Sequence, residues 1–243
     1  MELNKIYNED CLEGMKKIPD KSVDMILCDL PYEVTALKWD KIIPLDKLWE
    51  QYERIIKDNG AIVLTATQPF TTLLIKSNFE LYRYNWVWEK SRPSNFFFAK
   101  KGPMKYHEDI TVFYKKPPVY NPIMRKGGMA NNIKGSISKN NITGTISKTL
   151  PNTSSWKYPS TIIRVKSTDN TRNIHPTQKP VSLFEYLIKT YTNEGDTVLD
   201  NCMGSGTTAV AAINTNRNYI GFELDEGYYK ASIERIKQTL NKE

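Results

Sequence analysis

Apolar residues along this chain follow two rhythms. Short, nearly unbroken runs at 3–7, 23–28, 61–65, 197–200 and 218–222 read as buried strands, and the Tyr- and Trp-rich stretch 81–89 and the run 110–114 read the same way. Between them, apolar residues recur at helical spacing. Leu45, Leu48, Trp49, Tyr52, Ile55 and Ile56 predict an amphipathic helix that Asn59-Gly60 would close as a C-cap. Pro69 and Pro180 each stand where a helix starts, the second followed by Leu183, Phe184, Leu187, Ile188 and Tyr191. Shorter helices are predicted over 11–17 and after the glycine-containing stretch 201–208, and Tyr228, Tyr229, Ile233, Ile236 and Leu240 predict a last one. Strands alternating with helices imply an α/β fold: a mostly parallel central sheet with helices on both faces.

One stretch has neither rhythm. From 121 to 160 the chain is Asn, Ser, Thr, Gly and Lys, with few apolar residues and no acids. It cannot bury much core, so 115–172 is read as an insertion between a first half, 1–114, and a second, 173–243. The net charge of +7 sharpens this picture. Residues 81–179 hold 18 Lys and Arg against four acids, a net +14, whereas the remainder holds 16 against 23, a net −7. Such asymmetry points to a phosphate backbone. Lys90, Arg92, Ser94, Asn95, Lys100, Lys101, Arg125 and Lys126 are the expected contacts to double-stranded DNA. Among them stand Phe96, Phe97 and Phe98, which could stack on bases or wedge into a duplex, although at least one is expected to be a core residue.

Composition excludes other classes. At 243 residues, 40% hydrophobic, the chain suits one sizeable globular domain. No apolar run approaches a membrane span, and the first residues lack a secretion signal, so a cytoplasmic protein is expected. Three scattered cysteines imply no disulfide framework, and with no Cys-x-x-Cys pair and two distant histidines no metal site is expected.

Two stretches carry chemistry. Asp29-Leu30-Pro31-Tyr32 ends the strand at 23–28, because Pro31 cannot donate to a ladder. A carboxylate, rigid carbonyls and an aromatic face there suit a planar base with an exocyclic amine. The second stretch, 197–223, reads as strand, glycine loop, helix, strand and acid. Gly204 and Gly206 allow a tight turn and close approach to the backbone, and Glu223 can accept from both hydroxyls of a ribose. Alone, this half admits NAD as well as S-adenosylmethionine, but the chain lacks a second nucleotide half.

Together the motifs resemble S-adenosylmethionine-dependent DNA amino-methyltransferases, N6-adenine or N4-cytosine, of the circularly permuted group whose catalytic motif precedes the cofactor motif. Asp29-Leu30-Pro31-Tyr32 matches the D-P-P-Y type, with Leu30 where proline is commoner and Glu33 where glycine is. Asp200 to Thr208 matches D-P-F-x-G-S-G-T, with Asn201-Cys202 replacing Pro-Phe, and His175 to Pro180 matches H-P-T-Q-K-P. The resemblance implies a Rossmann-like methyltransferase fold, with Asp29, Leu30, Pro31 and Tyr32 catalytic. It implies a cofactor set of Asp10, Cys11, Asp29, His175, Thr177, Lys179, Asp200, Met203, Gly204, Ser205, Gly206, Thr207, Glu223 and Leu224. Within it Glu223 takes the ribose, Asp10 the adenine amine, and Lys179, Thr177 and Asp200 the amino-acid end. Asp at the first motif position favours adenine N6, since cytosine-directed relatives more often carry Ser. A cytosine N4 enzyme, an RNA or protein amide methyltransferase and a non-catalytic DNA-binding module are the alternatives. A homodimer is left open, and any restriction endonuclease partner would be a separate chain, since no nuclease motif is present.

Overall fold

The structure, a computed structural model, describes residues 1–33, 41–127, 136–139, 146–149, 155–167 and 178–241. In chain order its elements are β1 (Lys5–Tyr7), α1 (Cys11–Met15), β2 (Val23–Asp29), α2 (Leu45–Ile55), β3 (Ile56–Ala66), α3 (Phe70–Ser77), β4 (Tyr82–Glu89) and β5 (His107–Phe113). There follow β6 (Arg125–Lys126), β7 (Ser136–Lys139), β8 (Ile146–Thr149), β9 (Trp156–Lys157), β10 (Ile162–Arg164), α4 (Val181–Tyr191), β11 (Thr197–Asp200), α5 (Thr207–Asn214), β12 (Asn218–Phe222) and α6 (Glu226–Leu240). The chain forms two compact units, Met1–Asn121 with Thr161–Glu243, and Pro122–Ser160.

The larger unit holds one eight-stranded sheet in the order β1-β12-β11-β2-β3-β5-β4-β10. Every pairing is parallel except those of β5, which runs against both neighbours. Two apolar clusters cover the sheet. Because strand side chains alternate between faces, Met25 and Leu27 of β2 join Leu183, Leu187, Ala211 and Ile236 on one side. Ile26 and Cys28 join Leu48, Tyr52, Ile55 and Leu74 on the other. Both faces of β2 are therefore dry, which accounts for its unbroken apolar run. In the smaller unit β6 pairs with β9 and β7 with β8, both antiparallel.

Four expectations need correction. Asn59-Gly60 does not cap α2. The helix ends at Ile55 and the chain passes straight into β3, with Asn59-Gly60 inside the strand. The β2–β3 register jumps there, from Val23↔Ile56 to Met25↔Ala61. A Cβ on Gly60 would lie 2.8 Å from the Asp24 carbonyl oxygen, so the glycine serves close backbone approach at a bulge. The compact second unit is narrower than 115–172, because β10 pairs with β4 as the outermost strand of the main sheet. β5 starts at His107, not at 110. None of the three consecutive phenylalanines is core: Phe96, Phe97 and Phe98 are 70%, 96% and 59% exposed.

Candidate active site

The strand order brings the site together. β1, β12, β11 and β2 are parallel neighbours, so their carboxyl ends set Asp10, Glu223, Asp200 and Asp29 along one edge of the sheet. Ligands of open α/β sheets bind at this edge. β5 runs the other way, so its amino end, with Glu108, reaches the same edge. A cavity of about 1210 Å³ opens there, lined at one end by Glu223, Gly204 and Asp10 and at the other by Asp29, Tyr32, Lys90 and Glu108. A pocket for one small ligand typically occupies roughly 300–1,000 Å³, so this cavity has room for two groups side by side.

Asp29 is the best-connected group in it. Its Oδ1 accepts from the Tyr32 and Thr65 hydroxyls, and its Oδ2 accepts from the Lys179 ammonium at 2.6 Å. With two lone pairs per oxygen, Oδ2 keeps one acceptor position among the described residues. Thr65 is placed by register, directly opposite Asp29 across β2–β3. The Tyr32 ring lies 5.3 Å from that of Phe70, centroid to centroid, and burial followed by the Asp29 charge holds its phenol well above the ordinary range. Glu33 adopts φ +57°, the left-handed region where a glycine carries no steric cost.

Behind Asp29 lies a chain of alternating charges that the sequence did not announce. Lys179 Nζ is 2.6 Å from Asp29 Oδ2 and 3.5 Å from Glu108 Oε2, and Lys90 Nζ is 2.9 Å from Glu108 Oε1. Burial pulls the Lys179 pKa down, but Asp29 and Glu108 outweigh it and leave it raised. Burial likewise pushes the Glu108 carboxyl up, and Lys179 and Lys90 bring it below its usual value. Lys179 and Glu108 are thus both held ionised.

At the other end, Glu223 accepts from the backbone N–H of Gly204 at 2.7 Å and of Asp225 at 2.8 Å. Burial raises its pKa, opposed by these N–H groups. Gly204 and Gly206 have φ +52° and +79°, and a Cβ on Gly206 would lie 3.1 Å from that of Ser232. Glycine is favoured at both, by conformation in the first and by conformation and space in the second. Arg235, on the buried face of α6, donates to the Ser205 carbonyl and to the hydroxyls of Ser205 and Thr207, pinning the loop from behind. It escaped sequence reading because one cation among the apolar residues of α6 gives no periodic signal. Met203 is buried, while Cys11 and Leu224 line the cavity beside Glu223.

Two acids turn out to serve the backbone. One Asp10 oxygen caps α1, accepting from Leu12 N–H at 2.9 Å and Glu13 N–H at 3.2 Å. Both Asp200 oxygens are occupied within the loop, by the Thr208 hydroxyl and the Cys202 N–H. Burial pushes the Asp200 carboxyl up to about 6, against the pull of those two donors. A carboxyl with a higher pKa folded than unfolded makes the native state bind protons more tightly. Stability therefore falls on its account as pH rises from about 4 to about 6 and is level above that. Asp200→Asn removes this slope: Tm measured from pH 4 to 8 improves for the variant relative to the parent across that window. An unchanged difference would place the titration elsewhere.

Asn201 explains one departure from the familiar motif. Its side-chain oxygen accepts from the fully buried Tyr52 hydroxyl at 2.5 Å, and its amide donates toward the Cys202 and Cys11 sulfurs at 3.4 and 3.7 Å. Asn201→Ala strands that hydroxyl and is expected to cost about 1–3 kcal/mol in denaturant unfolding. A loss below a few tenths would show that Tyr52 finds another acceptor.

The expected DNA contacts divide. Arg92, Ser94, Lys100 and Lys101 are exposed, and Arg92 and Ser94 line the cavity. Lys90, by contrast, is buried in its pair with Glu108. Asn95 is spent on its own loop, accepting from Lys105 N–H at 2.5 Å and donating to the Pro103 carbonyl at 3.2 Å. Arg125 and Lys126 are exposed on β6 of the smaller unit. His175 and Thr177 lie outside the described residues. Among those described, no group of His, Cys, Asp and Glu is arranged to hold a metal, and no helix is long and apolar enough to cross a membrane.

The chain is similar to known proteins. Residues 23–234 match the profile of a family described as DNA methylase. The chain is 28% identical to the Type II methyltransferase M2.MboI of Moraxella bovis, over 96% of its own length and 87% of that protein's. It is 29% identical to the DNA adenine methyltransferase YhdJ of Escherichia coli (strain K12), over 97% and 83%. Among solved structures it is similar to the M1.HpyAVI–SAM complex, with 25% identity, coverage of 95% and 98%, and a TM-score of 0.65. The PvuII DNA methyltransferase, cytosine-N4-specific, shares the fold at 16% identity, with coverage of 98% and 91% and a TM-score of 0.68.

Proposed function

The chain belongs to the N6/N4 DNA methylase family, and from that membership we propose that it methylates the N6 amine of adenine in double-stranded DNA. It is an enzyme, a DNA methyltransferase, and its donor is S-adenosylmethionine. The residues at the Glu223 end of the cavity suit that donor. A half-buried carboxylate for the ribose hydroxyls, a left-handed glycine turn that leaves the backbone open, and the second Asp10 oxygen for the adenine amine stand side by side. When bound, the donor supplies an electrophilic methyl carbon: the amine nitrogen forms the new N–C bond as the S–C bond breaks, sulfur keeps the electron pair, and the nitrogen sheds one proton.

The chain's own residues do the positioning. The target base leaves the duplex stack to enter the cavity. The free acceptor position on Asp29 Oδ2 and the Leu30 carbonyl take the two amine hydrogens, turning the nitrogen lone pair toward the methyl carbon. Tyr32 offers a ring for stacking, and its hydroxyl, with that of Thr65, fixes the carboxylate. Positioning and electrostatics suffice, and no covalent nucleophile is used. The single observation that carries the reading is one cavity containing both Asp29 and Glu223. Arg92, Lys100 and Lys101, the exposed Phe96–Phe98 turn and the basic smaller unit support duplex DNA as the partner.

Adenine rests on Asp29 standing where cytosine-directed relatives more often carry Ser. The fold does not discriminate, since a protein named cytosine-N4-specific shares it. Incubating the chain with duplex DNA and S-adenosylmethionine, then resolving the nucleosides by mass spectrometry, tests the choice. N6-methyladenine is the expected product. N4-methylcytosine would transfer the same geometry to the other base, and methylation of structured RNA alone would overturn the duplex partner. The reading also implies a cytoplasmic protein; a homodimer is left open, and any restriction endonuclease partner would be a separately encoded chain. Sedimentation of the purified chain tests for the homodimer.

A further inference from the structure

We propose that Glu108 is a positioning residue for methyl transfer: it is the acceptor to which the Lys179 ammonium moves when the target amine reaches Asp29. This rests on the DNA methyltransferase reading above. Lys179 is 8% exposed and hydrogen-bonds Asp29 at 2.6 Å, while Glu108 Oε2 waits 3.5 Å away, too far for a good hydrogen bond. That Oε2 is buried and has no hydrogen-bond partner among the described residues. A buried acceptor left unmade is costly unless something fills it. The other oxygen, Oε1, is already held by Lys90, itself 5% exposed. Glu108 is thus fixed from one side and unmet on the other, and the nearest cation needs to move by less than about 1 Å to meet it.

The reaction supplies a reason to move. Asp29 serves the amine best as a full negative charge, because positive charge develops on the nitrogen as the N–C bond forms. An ammonium sharing the same carboxylate oxygen opposes that, and strongly so where water is excluded. Passing Lys179 to Glu108 frees Oδ2 without changing the total charge of the cluster, two cations and two anions. The backbone prepares the exchange. β5 runs antiparallel, so Glu108 pairs with Trp88 of β4, two residues before Lys90, at the edge where Asp29 ends β2.

A merely structural ion-pair network would lose stability and binding together on mutation, whereas this exchange predicts a loss confined to the chemical step. Single-turnover methyl transfer to duplex DNA, with calorimetric affinities for S-adenosylhomocysteine and duplex, separates them. Glu108→Gln should lower the transfer rate roughly 10- to 100-fold, with both affinities within about twofold of the parent, and Glu108→Asp should recover part of the rate. Should Glu108→Gln fail to fold, the Lys90→Gln/Glu108→Gln double variant keeps the cluster neutral and should show the same rate loss. A rate within about twofold of the parent in whichever variant folds, or a loss matched by equal losses of donor and duplex affinity, overturns the proposal. If the parent itself transfers no methyl group, the reading of the site fails instead.

Discussion

Asp29→Asn is expected to lower the rate of methyl transfer by about 10²- to 10³-fold while leaving donor affinity within about threefold. Asn fills the same volume, and its oxygen can still accept from Thr65 and Tyr32, so the strand end keeps its shape. The amide nitrogen then stands where Oδ2 was. It is a donor facing the amine, also a donor, so it cannot draw the lone pair into line. Lys179 retains Glu108 as a partner, so the variant does not bury an unpaired cation. Glu223 and Gly204 lie at the ends of β12 and β11, and no contact of theirs passes through Asp29. A stopped rate with intact donor affinity is the expected pair of results, read by single-turnover transfer and calorimetry. Lost donor affinity in a folded variant would count against these roles.

Glu223→Gln should do the reverse. Two charge-assisted hydrogen bonds to ribose hydroxyls become one neutral one, a change of roughly 1.5–3 kcal/mol. Donor affinity should therefore fall about 10- to 100-fold. At saturating donor the transfer rate should recover to near the parent value, because nothing at the Asp29 end has changed. Gln is the right test, since it keeps the side chain's length and one acceptor oxygen for one of the two N–H groups, Gly204 or Asp225, whereas an alanine would leave both unmet. A rate that stays low at any donor concentration would mean that Glu223 shapes the transfer step and not only the binding of the donor.

Much of this could be read from the chain, for a physical reason. β2, β11 and β12 are buried on both faces, and a buried strand must be nearly all apolar, so their ends are marked by the first polar residue. Those residues are Asp29, Asp200 and Glu223, and they sit at the site because parallel strands end at the same edge. What was hidden depends on pairing across long separations. Thr65 meets Asp29 only because of the β2–β3 register, 36 residues apart in the chain. Glu108 reaches the site only because β5 is antiparallel, and nothing in His107-Glu108-Asp109 states a strand direction. Lys90 carried a misleading signal: one more cation in a basic stretch reads as surface, and only the partner 18 residues on shows that it is buried. Asn59-Gly60 misled similarly, since a glycine at a helix end and one at a bulge look alike in sequence. The three phenylalanines erred in the opposite sense, since their exposure depends on a turn closed by Asn95 and not on their hydrophobicity.

The account stands on one spatial claim: amine and methyl donor meet in the cavity between Glu223 and Asp29. A crystal structure of the Asp29→Asn variant with S-adenosylhomocysteine and a duplex containing the methylated site measures it directly. The ribose hydroxyls should lie on Glu223, and the sulfur should sit within about 4 Å of the flipped base's amine nitrogen, near one methyl group's reach. A donor bound with its sulfur turned away from residue 29, or a base left stacked in the duplex with wall atoms between it and the sulfur, would contradict the account.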